Sequence, residues 1–489
     1  MKRAGKIAKW SLIILCATYL LLLIPDSKDT APTVTAGEKA FTWNRDEQWL
    51  QMEKIFRDAK MMPPATVDSS IRSQKLIAES KLVLLGEGNK LSTDSNWALA
   101  ENNFFSLAAL IAARTDELPW FTDYYNRLRN LLKEQSRRWQ MKETAARNTF
   151  YELAYGMRGA VEEVLLQADS ATISPAMIVN TERSVTPFAH IFGIEVHSGD
   201  MLVSRGGAEV SALISRGNDH PGNFSHVALA YVDEKTNQAF LIEAHIEKGV
   251  AVSSVEQYEQ DKKLRFMVLR LRADLPEMVA DPMLPQKAAK AMYEKAMGKH
   301  IPYDFKMNFH DSAAMFCSEV VSYAYGKKGI PLWQTSSTIS SNGVVNWLQA
   351  FGVENFVTQM PSDLEYDPQL TIVAEWRSPA TLFKDHIDNA VMDALLEKAN
   401  KGETIGYELW KLPIVRVLKG YCMLKNRFGG TGIIPEGMSA TQALKNENFV
   451  AMHVNLKKKT EKLADDFIKK TGYRPPYWQL VKFAELGAK

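Results

Sequence analysis

Cysteine is nearly absent from this chain. Of 489 residues only Cys16, Cys317 and Cys422 carry a thiol. A disulfide-scaffolded fold is thereby excluded, and the body of the protein has at most one possible bond, Cys317–Cys422. An excess of one charge is also missing: 59 Lys and Arg meet 57 Asp and Glu, so net charge gives no footprint for nucleic acid. No Walker loop and no zinc-binding spacing occurs, and the pairs Gly206-Gly207 and Gly429-Gly430 stand apart from any phosphate-cradling motif. Nucleic acid, cofactor and metal are therefore not expected. Internal repeats and low-complexity tracts are lacking too. What remains is an ordinary globular composition, 46% hydrophobic and 24% charged, in a chain long enough for two or three domains.

The N-terminus departs from that composition. Lys2, Arg3, Lys6 and Lys9 precede an uncharged stretch from Trp10 to Ile24, and Asp26 follows Pro25. This is a basic region followed by an apolar one. The apolar stretch is short for a bilayer span, but Ala4, Gly5, Ile7 and Ala8 can extend it while the lysines reach back to the headgroups. No small-x-small cleavage site lies close behind Ile24, and Leu15 before Cys16 argues against lipidation. The reading is an uncleaved membrane anchor over residues 1–25. Its basic flank then places the body across the inner membrane, in the periplasm.

Residues 26–42 read as a linker. Helical spacing dominates from 43 to about 185: Trp49, Met52, Ile55 and Phe56 form one stripe, and Leu128, Leu131 and Leu132 another. Leu82 to Leu85 reads as a helix end, the aromatics Trp120, Tyr124, Tyr125, Phe150 and Tyr151 as packing residues, and Arg137, Arg138, Lys142 and Glu143 as a solvated helix face. Near residue 185 the period shortens. Strands are expected over 200–204, 226–232, 239–244, 249–253 and 265–271, forming a small antiparallel sheet, with helices over 288–297 and 317–325. The predicted catalytic domain is 186–345, of α+β class. A mainly helical region, 346–489, follows. Within it, Tyr407 to Leu424 reads as an amphipathic helix packed on the domain, with a membrane-surface segment as the alternative.

The chemistry concentrates on two segments. Cys317 stands in Phe316-Cys317-Ser318-Glu319-Val320, at the head of an apolar helical run, and Ser225-His226-Val227 opens a strand upstream. A thiolate is the reactive form of cysteine, and an imidazolium or a helix N-terminus favours it. First-turn backbone N–H groups can also hold a developing oxyanion. His226 is the candidate base and proton donor. Glu243, in Leu241-Ile242-Glu243-Ala244-His245, is the candidate orienting acceptor, and His245, on the same strand face, is a rival for either role. Glu319 is expected to cap the helix start, and Asp200 to hold a turn.

These landmarks, in the order Ser198-Gly199-Asp200-Met201-Leu202, Ser225-His226-Val227, Ile242-Glu243-Ala244, Tyr303-Asp304-Phe305 and Phe316-Cys317-Ser318-Glu319-Val320, resemble the permuted papain-like amidases of the YaeF/YiiX type. Those enzymes are circularly permuted relatives of NlpC-type cell-wall hydrolases and of lecithin–retinol acyltransferase. The resemblance covers about 195–330. It implies a permuted papain-like core with Cys317 as nucleophile, His226 as base and Glu243 as third polar member. It also implies that Tyr303 matches the tyrosine that lies near the oxyanion site in related hydrolases. The expected activity is a membrane-anchored, periplasm-facing cysteine amidase or peptidase acting on cell-wall peptides. An acyl-lipid hydrolase or acyltransferase is the alternative enzyme, and a non-catalytic envelope scaffold the alternative of another class. The helical flanks depart from the compact family core and leave substrate size and access open.

Overall fold

The computed structural model describes residues 2–25, 39–43, 45–428 and 430–489. The expected linker over 26–42 thus lies outside the described residues except for 39–42. Helix α1 (Lys2–Leu22) is followed by five helices: α2 (Asp46–Met61), α3 (Pro64–Gly86), α4 (Ser95–Ala113), α5 (Leu118–Ser136) and α6 (Thr144–Gln167). Their apolar stripes face one another. Phe104, Phe121, Tyr124, Tyr125, Phe150 and Tyr151 are buried in one core, so the aromatics are packing residues as expected. The Leu82–Leu85 run does close a helix, α3. The segment Arg137–Glu143, expected as a helix face, is instead the turn between α5 and α6. Trp139 causes the break: it leaves the helical path and is buried, with Nε1 donating to Lys90 O at 2.8 Å.

Strands β1 (Ala176–Ile178), β2 (Phe188–Ile191), β3 (Ile194–His197) and β4 (Met201–Gly206) come next, then helix α7 (Glu209–Arg216). After them run β5 (His226–Val232), β6 (Ala239–His245), β7 (Gly249–Ser254), α8 (Val255–Gln260) and β8 (Lys263–Leu271). The chain continues through α9 (Pro276–Ala280), α10 (Leu284–Gly298), α11 (Cys317–Gly326), β9 (Ser337–Thr338), α12 (Asn342–Ala350), β10 (Val357–Thr358) and β11 (Leu370–Arg377). Four further helices close it: α13 (Pro379–Asn400), α14 (Leu412–Arg427), α15 (Ala440–Thr471) and α16 (Tyr477–Ala488).

The central sheet has seven strands in the order β1-β11-β8-β4-β5-β6-β7, and every pairing is antiparallel. Alternation sorts its two faces. Met201, Val203, Val227, Leu229, Ile242 and Met267 pack against α10 and α11, while Leu202, Ala228, Ala230, Leu241 and Val268 pack under the β2–β3 hairpin. The fold is α+β, as the strand and helix periods predict. One strand lies where helix was expected: Leu370–Arg377 sits inside the sheet, between β1 and β8. The sheet therefore draws on chain beyond 186–345 at both ends.

The first helix takes the place of the expected anchor. The uncharged stretch of 15 residues, Trp10–Ile24, would span roughly 22 Å if helical throughout, against about 30 Å of hydrocarbon, and α1 itself ends at Leu22. Among the described residues no helix is long and apolar enough to cross a membrane.

Candidate active site

Register brings the histidine and the glutamate together. Ala228 on β5 pairs with Glu243 on β6, and His226 lies two residues from Ala228 on the same strand, so both side chains reach one face. His226 Nε2 lies 2.8 Å from Glu243 Oε2. His245 Nε2 stands 3.3 Å from the other carboxylate oxygen, and the two imidazoles are 5.6 Å apart between centroids. Glu243 is fully buried, with a histidine on each side. With Glu243 on Nε2, the other ring nitrogen of His226 is the one left for a thiol.

That thiol is supplied by α11. Phe316 is extended and Cys317 is the first helical residue, so its N–H lies among the donors that have no acceptor within the helix. Glu319 Oε2 accepts the Phe316 N–H at 2.9 Å, which caps the helix start as expected. Cys317 Sγ lies 4.0 Å from Ser225 O, immediately before His226, and Cys317 and His226 line the same cavity. All three cysteines are free, so no Cys317–Cys422 bond forms.

Tyr303 arrives on an extended segment held on both sides. Met315 N–H donates to Pro302 O at 3.0 Å and Val250 N–H to Ile301 O at 2.9 Å. The second contact needs Gly249, whose φ is +70° and where a Cβ would meet Ile301 O at 2.1 Å. Tyr303, His245, Ser225, His226 and Cys317 all line one cavity. Asp200 is remote from it: it accepts Arg270 at 2.7 and 2.8 Å and the His197 N–H at 2.7 Å, holding the turn before β4. His197, His220 and His300 have partners elsewhere, on Thr186, Asn148 and Glu436.

The electrostatics set the proton positions. Burial works against charge on His226, but hydrogen bonds to Cys317 and Glu243 outweigh it and push the imidazole up to about 9. Burial also works against charge on Glu243, yet its bonds to His226 and His245 hold the carboxyl well below the usual carboxylate range. Burial, with negative charge at Cys317 and Asp304, pushes the Tyr303 hydroxyl well above its ordinary value, so it remains a donor. Burial pushes Glu319 up to about 8 against the pull of its Phe316 hydrogen bond. At neutral pH the arrangement can hold an imidazolium between a carboxylate and the Cys317 sulfur, beside a protonated phenol. That is the equipment of thiol acyl transfer.

Residues 195–374 match the family described as permuted papain-like amidase enzyme, YaeF/YiiX, C92. This segment is a permuted papain-like amidase domain. Its match ends within β11, and all of α1–α6 and all of α13–α16 lie outside it. A solved structure described as the metalloprotein yiiX from Escherichia coli O157:H7 is 22% identical, covering 36% of this chain and 95% of its own, with a TM-score of 0.29. No curated protein matches the chain. Among the described residues no group of three or more His, Cys, Asp or Glu is arranged to hold a metal ion.

The cavity of the amidase domain is about 940 Å³, within the range of small-molecule sites. Its polar end carries Cys317 and His226. Much of the remaining wall is apolar and comes from elements that the motif reading did not reach: Leu213 on α7, Val415 and Leu418 on α14, then Ile434, Met438 and Leu444. Five of these six lie beyond α13, in the C-terminal flank. The local signal was the three-to-four spacing of Val415, Leu418 and Cys422 on one helix face.

Proposed function

We propose that this protein is a cysteine hydrolase that opens an amide bond through a thioester at Cys317. The observation that carries the reading is the His226 Nε2–Glu243 Oε2 contact of 2.8 Å, with Cys317 Sγ 4.0 Å from the Ser225 O that immediately precedes the histidine. Cys317 Sγ attacks the carbonyl carbon while His226 holds the thiol proton. The carbon–nitrogen bond breaks and His226 returns that proton to the departing amine. Water then adds to the thioester, again through His226, and releases the acid and the thiol. Glu243 fixes the ring and stabilises its charged form. Tyr303 and the Cys317 N–H are the donors offered to the oxyanion. A basic flank before an apolar N-terminal stretch supports an envelope location facing the periplasm.

Cell-wall peptide amides follow from the NlpC-type kinship. A second reading, an acyl-lipid amide or ester, is favoured by the cavity wall: Leu213, Val415, Leu418, Ile434 and Met438 offer few partners for a peptide backbone. The test of the nucleophile is a thiol-directed activity probe on the wild type and on Cys317→Ala. Labelling should fall by one site per chain in the variant, and equal labelling sinks the proposal. Release of peptide from purified sacculi, against release of fatty acid from lipid extracts, separates the two substrates.

A further inference from the structure

Helix α14 is apolar on two sides. Its inner side packs Leu412 against Leu444, and Cys422 against Ile434 and Met438, while Val415 and Leu418 line the cavity. On its outer side Trp410, Ile414, Val417, Tyr421, Leu424 and Phe428 recur at alternating steps of four and three residues, and all six are exposed, from 56% to 81%. That spacing is one continuous helical stripe. A packed surface helix carries polar residues there, so an apolar stripe of this length marks a contact surface. Helix α1 extends it. Tyr19 Oη donates to Trp410 O at 3.0 Å and Arg416 donates to Leu22 O at 2.9 Å. On α1, Ile14, Leu15 and Leu21 are also exposed.

Charge identifies the occupant. Residues 409–428 contain five Lys or Arg and no Asp or Glu, and residues 1–25 contain four and none. Lys411 is paired with Glu408 and Glu447, and Lys419 donates to the carbonyls of Pro435 and Glu436, whereas Lys425 and Arg427 stand exposed in the last turn of α14. An apolar stripe edged by cations is the signature of a helix lying in the plane of an anionic lipid surface. Ile433, in the loop that follows α14, both lines the cavity and is 76% exposed. We infer that the outer stripe of α14, with α1 beside it, docks on an anionic lipid bilayer while the inner side of the same helix walls the cavity. One helix, about 10 Å thick, then separates the acyl chains from the cavity.

Docking is independent of Cys317, so it is measured on the full chain carrying Cys317→Ala. That protein is sedimented with vesicles of mixed phosphatidylglycerol and phosphatidylcholine, and with vesicles of phosphatidylcholine alone. Strong binding is expected to the anionic vesicles, falling at least ten-fold when Ile414→Asp, Val417→Asp and Leu424→Asp are added. Circular dichroism checks the fold. The pair Lys425→Glu and Arg427→Glu gives a second variant that leaves the stripe intact and should weaken anionic binding several-fold. Unchanged anionic binding in both variants overturns the inference, as does a parent protein that ignores both vesicle types. Light scattering covers the remaining occupant. A parent dimer that the triple variant dissolves without loss of vesicle binding assigns the stripe to a second copy of the chain and also overturns it. Loss of docking leaves the thioester proposal standing, and loss of probe labelling leaves the docking standing.

Discussion

The sheet carries two buried charge clusters, and they differ in whether they are closed. At β8 and β11, Glu375 is paired with Arg129 at 2.8 Å and with Arg158 at 3.0 Å, Glu162 with Arg377 at 3.3 Å and with His386 at 2.9 Å, and Asp385 accepts Arg265 at 2.7 Å. Each of these side chains is at most 5% exposed. The partners come from α5, α6 and α13, so this cluster seats both helical flanks on the sheet. At β5 and β6, Glu243 is as deeply buried, but its two histidines are 20% and 25% exposed and line the cavity. Burial and opposite charge occur in both clusters. Chemistry needs the further condition that one member faces a space where a substrate can sit, and only the β5–β6 cluster meets it.

Breaking the closed cluster should give the largest effect. Arg158→Leu leaves Glu365 and part of Glu375 buried without their cation, a change that costs about 3–5 kcal/mol. A chemical denaturation midpoint should fall accordingly while turnover of the remaining folded protein is kept; loss of turnover without loss of stability would erase the distinction between the clusters. In the open cluster, Glu243→Gln should reverse that pattern. Stability should fall less than in the closed cluster, because the two histidines are 20% and 25% exposed and can give up their charge to water, and kcat/KM should fall by about 10²-fold or more, the scale of general acid–base assistance. The pH profile tests the cause. With His226 raised to about 9, wild-type kcat/KM should decline only as pH rises through about 9, where the imidazolium is lost; without Glu243 that limb should move to lower pH. The smallest effect belongs to Glu319. Its folded carboxyl is raised to about 8 from 4.5, so the folded state retains a proton that the unfolded chain releases. This contribution to stability is present below about pH 4.5 and is lost as pH rises towards 8. Glu319→Gln should therefore flatten the decline of the denaturation midpoint over that window.

Local pattern made much of this legible. The alternation in 226–232 and 239–245 marks strands, and the register between them brings His226 to Glu243, a meeting that period alone left open. Cys317 heads a helix because an apolar run follows an extended segment. The strand at 370–377 was hidden by the helical pattern that follows it, although Thr371, Ile372 and Val373 are β-branched. The turn at Arg137–Glu143 was hidden because burial of Trp139 is decided by tertiary packing. Least legible was the cavity wall. Residues such as Leu213, Val415 and Met438 are far apart in the chain, and no motif joins them.

The three thiols lie at three depths. Cys16 is exposed, Cys317 forms part of the cavity wall, and Cys422 is 1% exposed on the inner side of α14. There Gly432 lies so close that even a Cβ on it would come within 3.0 Å of Cys422 Sγ. A reagent that adds bulk to sulfur has no room at Cys422 until the 430–434 segment lifts from the helix. The order in which the chain consumes such a reagent is therefore a clock. Its last tick times the unseating of α14, the same helix that walls the cavity on one side and presents its apolar stripe on the other.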